Sequence, residues 1–254
     1  MITAGIDVGA QAVKVVIVSD GKVLARNLLP TGFDPQESAQ KALDGAIHQA
    51  GISRGDVKRI VATGAGRKSI AFADRNITEV TADAKGANKL MPSVRTVIDI
   101  GAEEARGISC DAEGKVIDFA KNDKCAAGAG AFVESMARAL EIKVPEMIEI
   151  SLKSTKDAPI NATCAVFAES EVVSLIHTKI DKADIAHAVH DAIASRVASM
   201  VRRIPIDKDV ALIGGVANNA AIAEAMKKHL GVDVLVPENP QFVSALGAAL
   251  AAAA

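Results

Sequence analysis

Two short acidic turns carry the first chemistry in the chain. Ile6-Asp7-Val8-Gly9-Ala10 recurs as Ile98-Asp99-Ile100-Gly101-Ala102, an offset of 92 residues. Each turn sets a carboxylate at the end of an apolar strand, next to a glycine that lets the following backbone N–H groups approach an anion. Two such turns facing one another can hold Mg²⁺ through waters and cradle a triphosphate. A single copy would be ordinary hairpin chemistry, where Asp and Gly are common for conformational reasons. The duplication is what favours phosphate binding. Candidate contacts are Gly9, Ala10, Gln11 and Lys14 around the first turn, and Gly101 and Ala102 around the second. Gly214-Gly215 follows the apolar run Val210–Ile213, where a flat purine or a phosphate can lie against backbone at a helix N-terminus, with Val216 and Asn218 beside it.

Thiols form the second group. Cys125 stands in the small-residue stretch that continues through Gly128 and Gly130, and Cys164 follows Asn161-Ala162-Thr163. Each precedes an expected helix, and a helix N-terminus lowers a thiol's pKa and favours the metal-binding thiolate. Neither sits in a local C-x-x-C pair. A [4Fe–4S] cluster needs four thiolates, which two chains donating two each would supply at a two-fold interface. Spacing alone leaves both cysteines open between that role and their commonest one, as small buried hydrophobes. Cys110, within a strand, takes the packing role. An odd number of cysteines and no signal peptide argue against a disulfide framework.

The elements that must position these groups follow from periodicity. The echo of the first turn extends to Lys14 against Arg106 and Gly21-Lys22-Val23 against Gly114-Lys115-Val116, so each copy reads as a three-stranded meander. Apolar spacing predicts helices over 35–50, 82–90, 131–140, 167–176 and 183–203, strands over 57–63 and 210–213, a helix over 216–230 and an Ala-rich terminal helix over 241–254. Meanders followed by helices and strands, done twice, predict two α/β domains around a cleft. The halves are 1–93 and 94–240, with 241–254 packing back on the first. His48, His177, His187, His190 and His229 make no metal pattern with the cysteines, and His187 and His190 read as a polar stretch of the long helix.

At 254 residues, half of them apolar, with 29 basic against 31 acidic side chains, the chain can bury a core and is not disordered. It lacks the charge surplus of a nucleic-acid platform. With six Phe and no Trp or Tyr it also lacks stacking surfaces. No long uncharged apolar run occurs, so the expectation is a cytoplasmic protein without membrane or nucleic-acid partners.

Six blocks together resemble a known ATPase family: GIDVGAQAVK at 5–14, ATGAGR at 62–67, IDIGAEEAR at 98–106, NDKCAAGAGAF at 122–132, NATCAVFAESEV at 161–172 and GGVANN at 214–219. That family holds the activators of 2-hydroxyacyl-CoA dehydratases and the ATPase subunits of ATP-dependent benzoyl-CoA reductase. The resemblance implies an actin-like, ribonuclease H-like duplicated α/β fold. It also implies ATP and Mg²⁺ in the cleft, and one [4Fe–4S] cluster shared between two subunits through Cys125 and Cys164. It further implies ferredoxin as electron donor and CoA-ester-binding reductase subunits as acceptors. On it, Asp7 and Asp99 position Mg²⁺ and phosphate, and Glu103 or Glu104 orients the attacking water, one of the two otherwise being a strand-edge charge. Dehydratase activators typically read IDIGGQDSK where this chain has Glu103-Glu104. The Glu-Glu form and the GAGAF ending resemble the D-type subunit of benzoyl-CoA reductase, which pairs with a paralogous ATPase subunit rather than itself. A dehydratase activator is the alternative, and a sugar or acyl kinase of the same superfamily the more distant one.

Overall fold

A computed structural model describes residues 1–122, 129–160 and 165–253. The first meander is β1 (Ile2–Val8), β2 (Ala12–Ser19) and β3 (Lys22–Pro30), followed by α1 (Pro35–Ala50), β4 (Arg59–Thr63), β5 (Arg75–Asn76) and α2 (Glu79–Leu90). The second is β6 (Thr96–Ile100), β7 (Ala105–Cys110) and β8 (Val116–Asn122). Then come α3 (Gly130–Ala139), α4 (Val144–Ser151), α5 (Ala165–His177), α6 (Lys182–Val201), β9 (Val210–Ile213), α7 (Ala220–Leu230), β10 (Val234–Leu235) and α8 (Val243–Ala252).

Local chemistry sets these bounds. Asp34 caps α1 by accepting from the amides of Gln36 and Glu37, Pro35 opens its first turn, and Gly51 closes it in the left-handed region. Its buried face, Ala39, Ala42, Leu43, Ala46 and Ile47, has the 3–4 spacing read from the sequence.

Each half builds a five-stranded mixed sheet, ordered β3-β2-β1-β4-β5 and β8-β7-β6-β9-β10. The orders correspond strand for strand, with antiparallel meanders and parallel pairing of β1 with β4 and β6 with β9. This is the duplicated actin-like architecture expected from the resemblance. The last helix of each half crosses to the other. α2 follows β5 yet covers the second sheet, where Ala84 and Ala87 join Val97, Ile108, Cys110 and Ala211. α8 follows β10 yet covers the first, where Ala245, Leu246 and Ala249 meet Val16 and Val18. The other faces are covered by α1 in the first half and by a larger core of α3, α4, α6 and α7 in the second.

α2 and α8 also pack directly on one another. A Cβ on Gly247 would stand 1.8 Å from the Ala82 carbonyl oxygen, one on Gly86 2.1 Å from that of Val243, and one on Gly5 2.0 Å from that of Ala245. Main chain is against main chain at all three points, so nothing can yield cheaply.

The structure differs from the sequence reading in places. The strand expected from Val57 starts at Arg59, because Val57 is the residue closing a preceding short 3₁₀ turn. The helix expected over 216–230 is broken: Gly215–Asn218 is a 3₁₀ turn, and Asn219 then caps α7 by accepting from the Ile222 amide. α4 was not foreseen; at eight residues its apolar pattern is too short to stand out. No helix among the described residues is long and apolar enough to cross a membrane.

Gly247→Ala should lower stability by about 3 kcal/mol or more, whereas Gly215→Ala, whose Cβ meets nothing within 4 Å, should change it by less than about 1 kcal/mol. Thermal unfolding followed by circular dichroism compares the two.

Candidate functional site

The two acidic turns meet at the floor of a cleft between the sheets. In the antiparallel registers Asp7 faces Lys14 and Asp99 faces Arg106. The pairs close at 3.0 Å, Lys14 Nζ to Asp7 Oδ2, and 2.5 Å, Arg106 Nη1 to Asp99 Oδ2. All four side chains are largely buried. Burial opposes the Lys14 charge, but Asp7 outweighs it and raises its pKa. Burial likewise opposes the Arg106 charge, and Asp99, Asp83, Glu79 and Glu104 together more than restore it. Burial pushes the Asp99 carboxyl up, with Arg106 pulling against that push.

The duplication extends to two glycines. Gly64 after β4 (φ +90°) and Gly214 after β9 (φ +89°) both adopt the left-handed region. A Cβ on Gly64 would lie 2.5 Å from Asp7 Oδ1 and 2.4 Å from the Val8 carbonyl oxygen; on Gly214, 2.3 Å from Asp99 Oδ1 and 2.5 Å from the Ile100 carbonyl oxygen. Gly9 and Gly101 close the hairpins alike, donating to Ala12 O at 3.1 Å and Glu104 O at 2.9 Å.

The cleft encloses about 360 Å³. Of the residues singled out in the sequence, Asp7, Gly9, Ala10, Gln11, Lys14, Asp99, Gly101, Ala102, Glu103, Glu104, Gly214, Gly215 and Asn218 line it. A second cavity of about 320 Å³ adjoins it, floored by Gly130, Val133, Val144, Ile148 and Val216. Gln11, Gly101, Ala102, Gly215 and Asn218 line both, forming a waist between a charged chamber and an apolar one. Such a pair suits a ligand with a polyanionic end and a flat apolar end. Asn218 donates to Gly215 O and Gln241 Oε1, both at 3.1 Å, which fixes the turn at the waist. Cys125, Cys164 and Gly128 lie outside the described residues.

Glu103 is exposed at the cleft, while Glu104 is held by Arg106 at 2.7 Å. Two acids that the sequence reading missed stand on α2. Glu79 lines the cleft and pairs with Arg67 at 3.0 Å and Arg106 at 3.6 Å, joining the halves beneath it. Asp83 is fully buried and accepts from the Ser244 hydroxyl of α8 at 2.6 Å, while its Oδ2 has no partner among the described residues. Burial, then the neighbouring Asp99, push its carboxyl well above the usual range. No local motif marks either acid; only the crossing of α2 under the cleft brings them there.

His190 corrects the reading of a polar stretch on the long helix. It is buried on α6, with Ser151 Oγ at 2.9 Å from Nδ1 and Asn219 Nδ2 at 3.0 Å from Nε2. Asn219 Oδ1 already accepts from Ile222, so its amide nitrogen is the donor, Nε2 the acceptor, and Nδ1 carries the proton. The imidazole thus ties α4 and α6 to the residue that ends the Gly215–Asn218 turn.

The chain belongs to the BadF/BadG/BcrA/BcrD ATPase family, whose model matches residues 4–252. It is 44% identical to the activator of lactoyl-CoA dehydratase from Anaerotignum propionicum, over 98% of this chain and 96% of that protein. Identity to the D-type subunit of benzoyl-CoA reductase from Thauera aromatica is 32%, over 98% and 92%. The crystal structure of Acidaminococcus fermentans (R)-2-hydroxyglutaryl-CoA dehydratase component A superposes with a TM-score of 0.96 at 40% identity, covering 99% of this chain and 97% of that one. The activator of 2-hydroxyisocaproyl-CoA dehydratase from Clostridium difficile, solved with bound ADPNP, gives 0.94 at 39% identity, over 99% and 94%. These likenesses are higher to the dehydratase activators, the alternative, than to the benzoyl-CoA reductase subunit that the sequence reading preferred. The Glu103-Glu104 loop that favoured the reductase type is two residues of a similarity spread along the whole chain.

Burial lowers the His190 pKa from 6.5 to about 4. A depressed folded-state value means that the unfolded chain binds the extra proton first, so this stability is present above pH 6.5 and lost as pH falls towards 4. The loss should reach about 3 kcal/mol. Denaturant unfolding at pH 7 and pH 4.5 should show a smaller acid loss in His190→Gln than in wild type, from a lower starting stability.

Proposed function

We propose that this chain is an ATP-hydrolysing electron activator for a partner of the 2-hydroxyacyl-CoA dehydratase type. It would work as a pair of identical chains joined by one [4Fe–4S] cluster on Cys125 and Cys164 of each. The observation that carries the reading is the 44% identity to a dehydratase activator over nearly the whole of both chains, against 32% to the reductase subunit. A reduced ferredoxin would load the cluster, and the acyl-CoA would sit on the partner.

The packing of the helices that follow the two cysteines supports this reading. The two cysteine segments lead into α3 and α5, which pack on one another. Ser135 of α3 donates to Glu169 of α5 at 3.5 Å, five and four residues from the helix starts at Gly130 and Ala165. At about 1.5 Å rise per residue, both starts lie within roughly 8 Å of that contact along their axes. When bound, the cluster would supply a one-electron store of low potential.

The cleft residues take the nucleotide. Asp7 and Asp99 would hold Mg²⁺, and Lys14 and Arg106 keep those carboxylates in place. Mg²⁺ would supply charge neutralisation at the phosphates. The turns at Gly9–Gln11 and Gly101–Ala102 present backbone to the phosphates, while the cavity floored by Val133, Val144, Ile148 and Val216 receives the purine over Gly214-Gly215. Glu103, which makes no ion pair among the described residues, orients the attacking water; Glu104 is engaged by Arg106.

The second reading, a D-type benzoyl-CoA reductase subunit, keeps the same cleft and rests on Glu103-Glu104 in the second loop. It requires a paralogous partner.

Asp99→Asn should lower ATP turnover about 100-fold or more with the fold intact, measured by phosphate release. An anaerobic absorption spectrum with iron content on the chain alone should give about four irons per two chains, lost in Cys125→Ala. Iron bound only after co-expression with a paralogous subunit would favour the second reading, and an iron-free chain in every combination would overturn both.

A further inference from the structure

Resting on the nucleotide-cleft reading, we infer that the Gln11–Glu134 hydrogen bond is a strap across the waist of the cleft. It opens to admit a nucleotide, closes over it, and makes Glu134 a positioning residue that hands the nucleotide state to α3. Gln11 Nε2 in the β1–β2 turn donates to Glu134 Oε2 on α3 at 3.1 Å, joining residues 123 apart in sequence and on opposite halves. Its place gives it consequence. Gln11 lines both cavities, and so do Gly101 and Gly215 opposite it. A ligand with phosphates in the charged chamber and its base in the apolar one must span the waist that this bond crosses, with its sugar there.

Among the described residues α3 packs on α4, α5 and α6 of the second half. Its first two amides, Gly130 and Ala131, donate to the Gly101 and Ala102 carbonyls at 2.9 and 2.8 Å. A Cβ on Gly130 would come 2.9 Å from Val216 Cγ2, so the helix start is pressed against both the phosphate loop and the 3₁₀ turn. Gln11 connects this block to the first acidic turn. A carboxylate at the waist suits a hydroxyl-bearing sugar below it and repels a polyphosphate, so Glu134 also biases a nucleotide to lie with its base, not its phosphates, in the apolar chamber. Gln11 is exposed and Glu134 half-buried, and the bond between them lies at the solvent side, which lets it break and re-form as a gate must.

A gate and a ligand differ in kinetics. Removing a gate speeds both binding and release, whereas removing a direct ligand speeds release alone. The test is stopped-flow binding of a fluorescent N-methylanthraniloyl ADP with Mg²⁺ to the full chain, in wild type, Gln11→Ala, Glu134→Ala and the double variant. Circular dichroism verifies folding. Glu134→Ala should raise the association and dissociation rates together by about 3- to 10-fold, the scale of one hydrogen bond. The double variant should be no faster than Gln11→Ala, since both remove one bond. Hydrogen exchange of 130–139 should respond to nucleotide in wild type and much less in Glu134→Ala. Faster release in Gln11→Ala with Glu134→Ala unchanged would make Gln11 a plain ligand and overturn the strap, as would additive effects. A wild-type chain that binds no nucleotide would overturn the cleft reading itself and the strap with it.

Discussion

Asp7 and Asp99 are two carboxylates that the fold forces towards one another, and each is tolerable only because a cation stands opposite it in register. Lys14 and Arg106 reach their acids because antiparallel pairing places them directly across the strand. Losing Lys14 would leave the buried Asp7 charge uncompensated, a cost of about 3–5 kcal/mol, whereas Arg106 keeps Glu79 and Glu104 if Asp99 is lost. On the other side, Gly64 and Gly214 leave room for Asp7 Oδ1 and Asp99 Oδ1 that no other residue could leave. Each carboxylate is therefore held by a cation on one oxygen and by a missing side chain on the other. That is a preorganised arrangement: the charges and their geometry exist before any ligand arrives.

The floor is held rigid from below by the exchange of α2 and α8 between the halves. Because each covers the other half's sheet, the halves cannot separate without unpacking both helices. Their close crossing at Gly86 and Gly247 also explains why Asp83 is so deeply placed. Arg106 answers to Asp99, Glu104 and Glu79 at once, which makes it a side chain shared by the second acidic turn and by α2. Through Glu79 it is linked to Arg67 and so to the Gly64 turn of the first half. The charge network thus follows the same crossed path as the helices.

What was legible in the sequence was whatever repeats or has a period. Asp7 and Asp99 with their glycines, the Lys14–Arg106 echo and the amphipathic α1 were visible because each rule is local. Gly64 was not seen as the counterpart of Gly214: its neighbours Thr63 and Ala65 share no letters with Ile213 and Gly215, and the equivalence lies in a backbone angle. Glu79, Asp83 and Ser244 were missed because their meaning depends on a helix crossing between segments about 160 residues apart. His190 was misread because an i, i+3 histidine pair looks the same whether α4 and Asn219 cover one of its members or water does. The preference for the reductase subunit rested on one loop, whereas the identity summed along the whole chain is higher to a dehydratase activator.

The departure from symmetry is as informative as the duplication. Between the third and fourth strands of its sheet, the first half has α1; the second has α3, α4, α5 and α6. Both cysteine segments fall inside that added stretch, one before α3 and one before α5. The duplicated parts build a cleft that any phosphate-binding protein of this fold could use, and the added helices distinguish this chain. They are not a remote appendage: the first two amides of α3 bond to the second acidic turn, and α4 helps to floor the apolar chamber. The hydrogen bonds between that turn and α3 are main chain to main chain and have no side chain to flex. The insertion therefore shares its foundations with the cleft.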